Sequence, residues 1–144
     1  MKYSAKNKVN LKYSVVKQYR FRVEEEDFII DLPFLVPNCQ TEYIKIIDCE
    51  LTIKGKYLWD GSSGPTFQTN ACKIASLVHD ALCQLIKLGF LGTTVQPCAD
   101  KLYYKLCKDG GMSEIRARIR LLGLKIGSKY AVKYSKKPNK VITI

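Results

Sequence analysis

Ala71-Cys72-Lys73-Ile74-Ala75-Ser76-Leu77-Val78-His79-Asp80-Ala81-Leu82-Cys83-Gln84-Leu85-Ile86 is the stretch on which the fold turns. Ala71, Ile74, Ala75, Val78, Leu82, Leu85 and Ile86 recur at the three-and-four spacing of one helical face. Lys73, Ser76, Asp80, Gln84 and Lys87 fall opposite. Thr69 or Asn70 suits the N-cap, and Gly89 and Gly92 suit the end, because glycine tolerates the backbone that closes a helix. The period of the chain changes here from strand to helix.

Upstream, Val9–Val15 and Tyr19–Val23 are short runs of β-branched and aromatic residues. Phe28-Ile29-Ile30 follows the acidic turn Glu24-Glu25-Glu26-Asp27, and Tyr43–Ile47 and Glu50–Ile53 continue the pattern, with Gly55 marking a turn. Pro33 and Pro37 predict an irregular connection, since proline cannot donate to a strand ladder. Downstream, a second helix is expected from near Pro97 to Gly110-Gly111, burying Ala99, Leu102, Tyr103 and Leu106. Ser113 caps a third that carries Ile115, Ile119, Leu122 and Ile126. Strands followed by helices predict an α+β fold: an N-terminal β-rich region and then three α-helices in one domain. Its parts are a β-rich stretch over 1–58, a Gly-rich loop over 59–68, a helical part over 69–134 and a basic tail over 135–144.

A chain of 144 residues buries roughly two-thirds of its unfolded surface, enough to fold without metal or disulfide. No run reaches the ~18 apolar residues of a membrane span. The N-terminus is polar and shows no secretory signal, so synthesis for the cytoplasm is the expectation from these residues. The six cysteines form no Cys-x-x-Cys pair and no zinc-ligand spacing. Cys72 and Cys83, on one helix, lie roughly 16 Å apart, too far to bond. The net charge of +11 is unevenly spread. Residues 1–22 hold seven basic and no acidic residues, residues 23–100 five and eleven, and residues 101–144 twelve and two. Basic flanks around an acidic middle suit a polyanionic partner, an anionic phospholipid surface before nucleic acid, because no nucleic-acid motif is present. No nucleophile elbow, P-loop or dinucleotide fingerprint is present.

His79, the one histidine, stands at the border of the apolar stripe; Asp80 projects ~100° further round, onto the polar stripe. The two side chains therefore serve different neighbourhoods. An imidazole at a half-buried border can act as a general base near neutral pH. Asp80 can hold a cation. Calcium takes only oxygen ligands, backbone carbonyls included, and the loop Trp59-Asp60-Gly61-Ser62-Ser63-Gly64-Pro65 can turn several carbonyls to one point. Asp100, on the next helix, can fix the tautomer of His79.

Trp59–Thr66, Leu77–Leu82, Ala99-Asp100-Lys101-Leu102-Tyr103 and the basic helix Arg116–Gly127 resemble a phage and prophage family called domain of unknown function 1353. The resemblance covers roughly residues 30–130 and implies a viral or prophage origin, which makes the expected location the host cytoplasm or a virion. More loosely, the order of parts is similar to phospholipase A2, above all the short form of parvovirus capsid proteins: a Gly-rich calcium loop, a helix bearing His-Asp, then a helix bearing Ala-Asp and an aromatic. That resemblance implies His79 as the base that activates water and Asp100 as its orienting partner. It implies Ca2+ held by Asp80 and by carbonyls near Trp59, Gly61 and Gly64, with Asp60 and Tyr103 as further pocket residues. Two departures are plain. Two serines separate Gly61 from Gly64, and Cys83 stands four residues after the histidine, where those enzymes often carry tyrosine.

The leading expectation is a calcium-dependent, phospholipase A2-like ester hydrolase of viral or prophage type. One alternative is a non-catalytic virion or tail-region accessory protein that associates with other virion proteins. Another is a small-ligand or nucleotide-binding protein acting in the host cell.

Overall fold

The computed structural model describes residues 2–4, 6, 11–17, 20–60 and 70–134. The strands are β1 (Lys2–Tyr3), β2 (Tyr13–Lys17), β3 (Arg20–Val23), β4 (Phe28–Asp31), β5 (Cys39–Gln40), β6 (Ile44–Ile47), β7 (Glu50–Ile53) and β8 (Leu58–Asp60). Helices α1 (Asn70–Lys87), α2 (Gln96–Asp109) and α3 (Glu114–Tyr134) follow, with a single 3-10 turn at Thr93–Val95 leading into α2. The fold is α+β, strands first and helices second. Among the described residues no helix is long and apolar enough to cross a membrane.

Five strands form one sheet in the order β1-β4-β7-β6-β5, and β2-β3-β8 form a second. Alternation fixes which face of the larger sheet is wet: Phe28, Ile30, Ile44 and Ile46 point inward, while Asp31 and Ile47 point out. A two-residue turn joins β6 to β7, with Asp48 at φ 49° and Cys49 at φ 60°. Positive φ at both central positions matches the twist of a hairpin. An Asn38 Oδ1 that accepts from the Asp48 amide at 2.9 Å braces it. Pro33 and Pro37 lie in the irregular span between β4 and β5, as the missing donors require.

The turn at Gly55 sets where β8 goes. A Cβ there would stand 2.5 Å from the Glu25 carbonyl oxygen and 2.6 Å from that of Glu24, so only glycine lets the two backbones meet. The Gly55 amide donates to Asp27 Oδ1 at 2.9 Å, and Lys56 and Tyr57 exchange backbone hydrogen bonds with Val23. This lock delivers β8 antiparallel to β3, with Trp59 opposite Phe21.

Trp59 is the joint between sheet and helix. It is buried against Phe21 and Tyr13, and its Nε1 donates to Ser76 Oγ on α1 at 3.1 Å. One hydrophobic core runs from Ile44, Leu51 and Ile53 in the larger sheet to Leu77, Ala81, Leu82 and Leu85 in α1, then to Leu102 and Leu106 in α2. The polar face expected on α1 is only partly wet: Ser76 and Gln84 are buried, because β8 covers one and the fold closes over the other. Ser113 caps α3 as expected, its Oγ accepting from the Arg116 amide at 3.3 Å. The expected strand Val9–Val15 is displaced to Tyr13–Lys17, and residues 7–10 lie outside the described residues.

Candidate active site

The site is built where α1 crosses α2. His79 and Asp100 are 7% and 3% exposed, and His79 Nε2 donates to Asp100 Oδ1 at 2.7 Å. The carboxylate on Nε2 decides the tautomer: with that proton committed, Nδ1 carries the lone pair whenever the ring is neutral. Tyr103, one turn beyond Asp100 on the same face of α2, sets its ring edge-on to the imidazole at 5.7 Å. The apolar positions that seat α2 thus also aim Asp100 and Tyr103 at His79.

Two further residues complete the cluster. Gln96 Nε2 donates to Asp100 Oδ1 at 3.1 Å and to Cys83 Sγ at 3.4 Å. Cys83 Sγ lies 3.7 Å from both ring nitrogens of His79. At equal distance from both nitrogens, Cys83 Sγ rests against the imidazole itself. Sequence reasoning missed Gln96 by starting α2 near Pro97. The signal was its spacing of four from Asp100, which puts both on one helical face.

Burial works against a charge on His79. The Asp100 hydrogen bond, with help from Cys83 and Asp80, outweighs it and pushes the imidazole up to about 10. The His79 ring is therefore held toward its protonated form.

Asp80 is half-buried and leaves the helix in another sector from His79. Trp59, anchored on Ser76, brings the end of β8 to one helical turn from Asp80. Gly61 and Gly64, and the side chain of Asp60, lie outside the described residues, so the expected meeting of Asp80 with the loop carbonyls falls there too. Among the described residues no three His, Cys, Asp or Glu side chains converge as a metal site. A calcium set of one carboxylate and backbone carbonyls is not of that kind, and of its expected members only Asp80 and Trp59 are described. Two surface depressions, of about 700 and 310 Å3, are lined by Leu11, Tyr13 and Glu24–Glu26 and by Asp31, Asp48 and Glu50; neither includes His79.

No protein-family model matches this chain, and no curated protein or solved structure matches it either.

Proposed function

We propose that the α1–α2 crossing is the centre of an ester hydrolase of the phospholipase A2 kind, in a protein of viral or prophage type. The observation that carries this reading is the 2.7 Å contact between His79 Nε2 and Asp100 Oδ1, which joins a lone histidine to a carboxylate from a second helix. In the neutral ring, Nδ1 takes a proton from water as the water oxygen attacks the ester carbonyl carbon. The tetrahedral adduct then collapses, and the alcohol leaves with the proton returned from Nδ1. Asp100 holds the tautomer and offsets the charge the ring gains; Gln96 holds Asp100. Asp80 and the carbonyls of Trp59, Gly61 and Gly64 would hold calcium, which would supply positive charge to offset the oxyanion. Because the resting ring is protonated, turnover rises with pH from neutral into the alkaline range.

A fluorogenic phospholipid assay with calcium and with chelator tests this. Wild-type protein should turn over only with calcium, and His79→Gln should lose ~100- to 10,000-fold. Absent turnover, or turnover that survives His79→Gln, would overturn the reading. The burial of both partners favours one alternative: a virion accessory protein in which the pair is a structural cross-link between helices. In that case His79→Gln lowers the melting temperature while no substrate is consumed.

A further inference from the structure

Helix α3 carries three of its aliphatic residues on the side away from the rest of the molecule. Ala117 is fully buried against the rest of the molecule, and Leu124 packs beside it. Ile115, Ile119 and Leu122 are 72%, 63% and 59% exposed. At ~100° per residue these three cluster roughly 170° from Ala117, on the opposite face. Arg116 flanks the stripe on one side, and Arg118 and Lys125 flank it on the other. Glu114 holds this orientation: it accepts from Tyr104 and Lys108 of α2 and from Arg118 Nε at 2.7 Å.

We propose that this face of α3 docks the protein on an anionic phospholipid bilayer, the helix lying in the interface. An apolar stripe bordered by cations on both sides suits the headgroup boundary, although α3 as a whole is not amphipathic because Ala117 and Leu124 occupy the face opposite the stripe. The aliphatic side chains enter the acyl region while Arg116 and Lys125 meet lipid phosphates, and Arg118 stays paired with Glu114 at the rim. Charge decides against the competing occupants. A second copy pairing through the same stripe would set these cationic flanks against their own kind, with Glu114 as the single acid over residues 110–134. A nucleic acid would answer the arginines but leave three aliphatic side chains without an apolar partner. The inference gives the hydrolase reading a surface on which to meet its substrate, but its measurement does not depend on that reading.

Co-sedimentation is run in chelator, with vesicles of phosphatidylcholine alone and of an equal mixture with phosphatidylglycerol. The wild-type chain should bind the anionic vesicles at least ~10-fold more tightly, and salt should weaken binding. Ile119→Asp with Leu122→Asp should lose at least ~10-fold on the anionic vesicles. These side chains are exposed, so circular dichroism and the melting temperature should hold; Ile119→Ser alone, with a smaller loss, serves if the double variant unfolds. Three results would overturn the proposal: no binding to anionic vesicles, undiminished binding by a folded double variant, or a wild-type dimer that Ile119→Asp dissociates. Binding in chelator without calcium-dependent turnover supports the docking surface and removes the hydrolase.

Discussion

Asp100 Oδ1 accepts from both His79 Nε2 and Gln96 Nε2, so one oxygen ties α1 and the first turn of α2 together. Because the His79 imidazole is raised from its ordinary 6.5 to about 10, the folded chain holds a proton that the unfolded chain releases. The stabilisation this provides is complete below about pH 6.5 and is lost as pH climbs through about 10. Urea unfolding in chelator, from pH 6 to 10, should show the wild type's lead over His79→Gln shrinking steadily with pH. A lead that stays constant would mean that the pair is not charged in the folded state. Gln84 is the unbalanced residue of this helix: it is buried, yet its amide makes no hydrogen bond among the described residues. A buried amide in that condition is a cost to stability.

At the scale of elements, Gly55 is the position where one methyl group decides the topology. Its missing Cβ lets the 54–57 turn lie on the backbone of Glu24 and Glu25 and so directs β8 onto β3. Gly55→Ala should cost about 1–3 kcal/mol, since the atoms in the way are main chain and cannot rotate aside. Thermal unfolding would register this as a fall of several degrees; an unchanged midpoint would show that the turn can open. The sequence marked this turn by its glycine, and it marked all three helices by their apolar spacing. It could not show which side of each helix is buried. Ile115, Ile119 and Leu122 signal α3 by period, but the residue that fits against α2 is the small Ala117. Ser76 and Gln84 fall on the polar side of α1 by pattern, yet Ser76 meets Trp59, a partner seventeen residues away. The hairpin turn at Asp48-Cys49 was hidden for a different reason: cysteine carries none of the preference for positive φ that asparagine or glycine would. His79 and Asp100 were legible as a pair because two helices in sequence must pack, and both residues lie beside apolar positions. Gln96 and Cys83, which complete the cluster, carry no charge or motif to announce them.

At the scale of the molecule, the question is whether the β-rich part and the three helices unfold as one unit. The core is continuous through Trp59 and α1, and the hydrogen bond to Ser76 crosses the junction. Trp59 is the single tryptophan, so its fluorescence reports the junction alone, while far-ultraviolet circular dichroism reports mostly helix. If the junction couples the two parts, both signals should follow one urea transition with the same midpoint, the mark of a two-state domain. Separate midpoints, with fluorescence changing first, would mean that the sheet–helix joint opens while α1 and α2 stay paired. The second outcome would also bear on the site. The end of β8 would then be free to leave α1 while the His79–Asp100 contact persisted, so on the proposed reading the base and the proposed calcium ligands would be separable by denaturant. Coincident transitions instead require that both be lost together, because the strand that delivers the loop and the helix that carries His79 share one core.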